Sequence, residues 1–178
     1  RRKGADNVVN LVLERARLQG DAWAREDFFP HNSPDFSCAH PALSADGRTL
    51  TFTSNRPGGL GGMDLWKSIF DGATWSEPSN LGPTVNTEGN ELFPYLAPDG
   101  LLVFASDGWP GLGGLDIFAV PLQNGGYFAK PTNAGAPVNS PKDDFGCITR
   151  DGMATGYFSS NRNSANSTED IWAFERKA

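Results

Sequence analysis

The chain has 178 residues, with 21 Gly and 13 Pro, 11% aromatic and 20% charged residues. So many turn-forming positions argue against a helical bundle, and the aromatic content argues against disorder. Net charge is −6, and residues 74–123 hold six acids and no Lys or Arg, a balance that repels phosphate backbones and excludes nucleic acid as a partner.

Read along the chain, the first element is Leu11-Val12-Leu13-Glu14-Arg15-Ala16-Arg17-Leu18. Its opening Arg1-Arg2-Lys3, without Met, suits a mature product or a piece of something longer. Cys38 to Ser44 is a short apolar run stopped by the turn dipeptide Asp46-Gly47. Thr49-Leu50-Thr51-Phe52-Thr53 alternates with the period of a pleated strand. Pro57-Gly58-Gly59-Leu60-Gly61-Gly62 is loop, Asp64 to Phe70 a third strand, and Trp75 to Leu81 a fourth. The longest apolar run, Leu101–Ala105, has five residues, too few to cross a membrane as a helix.

The same order then returns. Asp46-Gly47, Asp99-Gly100 and Asp151-Gly152 lie 53 and 52 residues apart. Met63-Asp64-Leu65-Trp66, Leu115-Asp116-Ile117-Phe118 and Glu169-Asp170-Ile171-Trp172 recur after 52 and 54. Asn32-Ser33, Asn86-Thr87 and Asn139-Ser140 recur as well, as do Trp23, Trp75 and Tyr127. The chain is therefore three repeats of about 52 residues, each reading as one four-stranded antiparallel sheet. A lone sheet with two apolar faces cannot bury both. Radial stacking does so and protects the edges, which predicts an all-β fold of β-propeller blades. The division expected is 9–27 as the end of a preceding blade, then blades at 28–81, 82–133 and 134–178. Leu11 to Leu18 should be the third strand of that preceding blade. Three blades fall short of the roughly four to eight that close a ring, so the region reads as part of a larger propeller.

The recurring residues invite structural roles first. Asp64, Asp116 and Asp170 follow the glycine loop and should accept its backbone N–H groups. One carboxylate per blade supplies no converging metal set, so neither a metal nor a cofactor is expected. Asp46, Asp99 and Asp151 are turn residues, and Trp23, Trp75 and Tyr127 are blade-packing aromatics. Cys38 and Cys147 have no CxxC spacing and read as buried free thiols.

First strands of propeller blades line the central channel. Counting eight back from each turn Asp gives Cys38, Glu91 and Asp143, and six back gives His40, Phe93 and Phe145. A polar mouth of His40, Glu91, Asp143 and Asp144 is thus the candidate binding site, for a partner loop, a cation or only water. Catalysis finds no constellation: the chain has two His, and no G-x-S-x-G, H-E-x-x-H or P-loop. A hydrolytic or glycan-binding use of the acidic mouth near Glu91 is the alternative.

Pro41 to Gly59, read as Pro-Ala-Leu-Ser-Ala-Asp-Gly-Arg-Thr-Leu-Thr-Phe-Thr-Ser-Asn-Arg-Pro-Gly-Gly, resembles the WD40-like PD40 propeller repeat of TolB-type periplasmic proteins. With Gly-Asn-Glu-Leu-Phe-Pro, Gly-Leu-Gly-Gly-Leu-Asp-Ile-Phe and Asp-Asp-Phe-Gly, it is similar to the propeller of OmpA-family envelope proteins of Bacteroidetes, PorE-like type IX secretion components among them. The resemblance covers residues 9 to 176. It implies a non-catalytic, outer-membrane-associated periplasmic scaffold with envelope proteins as partners. Peptidoglycan would be reached only through a domain absent from this chain, so no peptidoglycan-binding residue is carried over. The third repeat departs from the pattern at Asn163 to Thr168, where the double glycine is missing. Kelch propellers fit less well because their aromatics are expected at other offsets from the glycines, and sialidase propellers because the turn Asp and Gly are adjacent here and residues 74–123 hold no Arg.

Overall fold

The computed structural model describes residues 1–4, 7–26, 28–122, 129–163 and 168–176. Fifteen strands and no helix are present among them: β1 (Arg2–Lys3), β2 (Val9–Asn10), β3 (Arg15–Gln19), β4 (Ala22–Glu26), β5 (Cys38–Leu43), β6 (Thr49–Ser54), β7 (Asp64–Ile69), β8 (Ser79–Asn80), β9 (Glu91–Leu96), β10 (Leu101–Ser106), β11 (Asp116–Pro121), β12 (Thr132–Asn133), β13 (Asp144–Thr149), β14 (Thr155–Ser160) and β15 (Asp170–Glu175). They form sheets β5-β6-β7-β8, β9-β10-β11-β12 and β13-β14-β15, with two hairpins, β1-β2 and β3-β4, ahead of them. All pairings are antiparallel. The fold is that of β-propeller blades.

The middle strands show why the sheets stack. β6 and β10 are buried on both faces except at their first residue, so each sheet is covered on either side. Three apolar clusters fill the gaps. Leu13 packs with Phe29, Leu50, Phe52, Trp66 and Trp75 of the first blade. Leu65 of that blade packs with Leu102, Phe104, Phe118 and Val120 of the second. Val103 and Ile117 of the second pack with Cys147 and Phe158 of the third. Apolar area removed from water at these seams is the main force joining one repeat to the next.

The glycine loops mark the same seams. A Cβ at Gly61 would collide with the carbonyl oxygens of Gly89 and Thr87, and one at Gly113 with those of Lys142 and Ser140. Each double-glycine loop lies directly under the loop that opens the next blade, and Gly62 N–H donates to Gly89 O at 2.8 Å.

Four details differ from the sequence reading. The fourth strands shrink to two residues (Ser79–Asn80 and Thr132–Asn133), joined in the first blade by a bridge between Phe70 and Trp75. Leu13 does hold the third-strand place against the first blade, but the regular strand begins only at Arg15 and pairs with β4 as a hairpin. Trp75 is buried against Phe28, Phe29 and Phe70, yet Trp23 is 69% exposed opposite Leu18, because no first or second strand lies over that hairpin among the described residues. Trp23 is therefore not a blade-packing aromatic here, and Tyr127 lies outside the described residues.

The fourth difference is one of register, and it relocates a site residue. Cys38, Glu91 and Asp144 pair with Ser54, Ser106 and Ser160, so Asp144, not Asp143, is the counterpart of Glu91. The count from the turn misleads because the third hairpin turns differently, with both Gly152 and Met153 at positive φ, which puts its Asp-Gly one residue early.

Candidate functional site

Each first strand carries a bulge at the same place: between Ala39 and Ala42, opposite Val103 and Ala105, and between Phe145 and Ile148. A bulge adds a residue and re-aims the side chains around it. His40 (φ 46°) and Phe93 (φ 51°) take the left-handed conformation there, and Gly146 (φ 61°) does so in the third blade. Non-glycine residues in this region cost energy and persist only where packing holds them.

Here packing does hold them. The His40 ring stacks on Phe93 with centroids 3.9 Å apart, and Phe93 stacks on Phe145 at 4.8 Å. Phe93 N–H also donates to His40 Nδ1 at 3.4 Å. Burial pulls the His40 pKa below the usual histidine range. One ring from each blade thus forms a continuous ladder across the first strands.

The four residues expected to form a polar mouth are not brought together. Glu91 and Asp144 are wholly buried and point away from the ladder into the seams. Glu91 accepts hydrogen bonds from Thr87 N–H (2.9 Å), the Thr87 hydroxyl (2.7 Å) and the Ser106 hydroxyl (2.7 Å). Burial raises its pKa despite these donors. Asp144 accepts from Ser140 N–H (2.6 Å), the Ser140 hydroxyl (2.8 Å) and the Arg162 guanidinium (2.6 Å). Asp143 instead accepts from Leu115 N–H at 3.0 Å and from the Asn161 amide at 3.1 Å, binding the second blade's loop to the third. Glu91 and Asp144 each turn back onto the residue four before them, Thr87 or Ser140, so both carboxylates are used within their own blade.

The loop and turn aspartates are placed as follows. Asp64 accepts from Leu60 N–H (2.6 Å), Gly61 N–H (3.1 Å) and the Asn80 amide (2.7 Å). Asp116 accepts from Leu112 N–H (2.7 Å) and Gly113 N–H (2.9 Å), its other oxygen buried without a partner. Asp170 is exposed, and residues 164–167 of the loop before it lie outside the described residues. Asp46 accepts from the Ser44 hydroxyl (2.5 Å) and Arg48 N–H (3.0 Å), bonds that lower its pKa, the Ser44 bond most. Asp99 accepts from Leu101 N–H (3.2 Å) and, across a seam, from Gly152 N–H (2.8 Å). Asp151 accepts the Thr155 hydroxyl at 3.2 Å.

Sequence reasoning noted Asn32, Asn86 and Asn139 but gave them no role. Each clamps the backbone of the third-strand residue in the blade before it. Asn86 accepts Leu65 N–H at 2.8 Å and donates to Leu65 O at 3.0 Å. Asn139 does the same to Ile117 at 2.8 and 2.9 Å, and Asn32 to Leu13 at 2.9 and 2.7 Å. An asparagine side chain carries one acceptor and one donor side by side, the complement of a peptide's N–H and C=O. The signal was the recurrence itself.

Both cysteines are free and buried, and burial raises their pKa, that of Cys147 to about 12. Among the described residues no three His, Cys, Asp or Glu side chains converge on a point where a metal ion could sit. Among the described residues no helix is long and apolar enough to cross a membrane.

One face stays uncovered. Ile148, Tyr157 and Ile171 of the third blade are 49%, 56% and 80% exposed. In the second blade the places of Tyr157 and Ile171 are held by Val103 and Ile117, both fully buried against the third.

No family model matches the chain, and no curated protein matches it. Solved structures do. One, from a study of two prolyl endopeptidases, aligns over 91% of this chain and 21% of its own, with 16% identity and a TM-score of 0.53. Another, a mutant of puromycin hydrolase, aligns over 78% of this chain and 27% of its own, with 13% identity and a TM-score of 0.40. The chain thus spans about a fifth to a quarter of the proteins it matches. At such identity the likeness of the first concerns the fold alone.

Proposed function

We propose that this chain is a non-catalytic propeller scaffold that docks other proteins, in the periplasm and beside the outer membrane. What carries the reading is the use made of its recurring polar residues. Glu91, Asp144, Asp64, Asp116 and the three clamping asparagines are engaged within or between blades. Groups so occupied stiffen a surface and leave none of their chemistry for a substrate. The envelope setting rests on the PD40 resemblance, and a PorE-like role in type IX secretion is the narrowest form of it. Peptidoglycan would then be held by another domain.

The hydrolytic alternative loses its motivating feature, since Glu91 is sealed from solvent. The test is paired. Purified chain is crosslinked in envelope extracts, and the same preparation is screened against glycans and peptides. The scaffold reading expects defined envelope proteins whose recovery falls when exposed side chains such as Tyr157 are changed, and no turnover. Turnover that disappears in Glu91→Gln, with no such partner, would overturn it.

A further inference from the structure

The seam between the first and second blades contains a cleft of about 510 Å³, within the range of roughly 300–1,000 Å³ typical of small-molecule sites. Thr49, Thr51, Lys67 and Ile69 line it from the first blade, and Leu96 and Leu101 from the second. Two of its lining residues, Thr51 and Lys67, belong to one row of side chains. Across the first sheet, Ala42, Thr51 and Lys67 stand side by side in register. The same row reads Tyr95, Val103, Ala119 in the second sheet and Ile148, Tyr157, Ala173 in the third.

The contrast decides two things. A small Ala42 stands where the second blade has Tyr95, which packs against the cluster of Val103, Ile117, Cys147 and Phe158 in the next seam. The Asp99 to Gly152 bond also ties the two hairpins together there, whereas Asp46 is bonded only within its own turn. The first seam is therefore left open. Its row is also polar where the others are apolar. Thr51 and Lys67 are directly paired, so hydroxyl and ammonium project from one face about 5 Å apart at Cβ.

Charge selects the ligand. Among the described residues the Lys67 ammonium has neither an ion-pair nor a hydrogen-bond partner, its backbone being paired in the sheet. Asp46, the acid on the rim, already accepts two hydrogen bonds. We infer that this cleft binds a monocarboxylate with an apolar tail. The carboxylate sits on Lys67 and Thr51, and the tail lies along Ile69, Leu96 and Leu101. An ammonium paired with a carboxylate in a partly desolvated cleft is worth more than a neutral contact, and the apolar walls add tail burial. This inference is independent of protein docking.

The probe is octanoate, titrated by calorimetry into the whole chain, with octan-1-ol as its uncharged match. Octanoate is expected to bind at one site, about tenfold tighter than the alcohol, the difference one charged pair makes. Lys67→Met should abolish that preference and leave alcohol binding unchanged, and Lys67→Arg should restore most of it. Ala42→Tyr, copying the second blade, should remove both ligands. Thermal unfolding of each variant establishes that it is folded, and the Lys67 pair alone decides the matter if Ala42→Tyr does not fold. Absence of saturable octanoate binding overturns the inference. So does binding that survives Lys67→Met but falls with Tyr157→Glu or Arg150→Met, which would put the anion on the open third-blade face instead.

Discussion

Removing one clamp, by Asn86→Ala, isolates one of the contacts that join the first two blades. Asn86 is buried and makes three hydrogen bonds: from Leu65 N–H (2.8 Å), to Leu65 O (3.0 Å) and to Asn80 Oδ1 (2.9 Å). Two of the partners are not stranded by its loss. Leu65 O also accepts from Leu81 N–H at 3.0 Å, and Asn80 Oδ1 from Gly82 N–H at 2.7 Å. Leu65 N–H has no such reserve, and an orphaned buried donor costs about 1–3 kcal/mol. Adding about 0.5–1 kcal/mol for each of the other two bonds gives about 3 kcal/mol. Asn139→Ala should cost the same, since Ile117 O keeps Ala134 N–H and Asn133 Oδ1 keeps Gly135 N–H. Asn32→Ala should cost about 1 kcal/mol, because Asn32 is only half-buried and water replaces part of what is lost. Urea unfolding followed by fluorescence measures all three. Equal losses, or less than about 1 kcal/mol at Asn86, would refute the argument that an orphaned amide sets the cost.

Three further outcomes follow from the seams. Burial raises the Glu91 pKa, so the folded state prefers the protonated acid. Its contribution is whole below the ordinary value of 4.5 and is lost as pH rises through the higher folded value. The stability of Glu91→Gln relative to wild type should therefore rise with pH above 4.5, and a difference flat in pH would contradict it. Arg162→Ala leaves the buried Asp144 carboxylate, still bonded to Ser140, without its countercharge and should cost about 3–5 kcal/mol. Arg56→Ala, which loses stacking on Trp66 and Phe36 and a long ion pair with the exposed Glu77, should cost about 1 kcal/mol, and urea titration ranks the two. Ile171→Glu should change stability by less than about 0.5 kcal/mol, while Ile117→Glu, the same place one blade earlier, should abolish folding as read by circular dichroism.

The period of the repeat was legible because turn, loop and strand chemistry recur together, and only stacked sheets explain a strand such as Leu101–Ser106 that is apolar on both faces. The loop aspartates were legible for a similar reason, a glycine loop having many N–H groups and no side chains to meet them. The mouth was not legible. It was counted back from the turn aspartates, and such a count carries no sign that Glu91 and Asp144 turn back onto Thr87 and Ser140 and are buried there. Counting back from the second strand, whose Ser54, Ser106 and Ser160 are fixed points, would have paired Asp144 with Glu91. Trp23 failed differently. Its recurrence with Trp75 is real, but burial depends on strands that do not cover it among the described residues.

The buried position opposite that serine also shows how the repeats have diverged without changing fold. The third blade holds both an anion and a cation there, Asp144 and Arg162. The second keeps the anion, Glu91, but has Gly108 in the arginine's place, where any Cβ would strike the Thr87 hydroxyl that binds Glu91. The first keeps the cation, Arg56, and replaces the anion with Cys38, leaving one guanidinium nitrogen buried without a partner. One geometry thus tolerates a pair, an acid alone or a base alone. The ion pair cannot be what specifies the blade. The asparagine clamp and the apolar seam, present in all three, are what remain to do so.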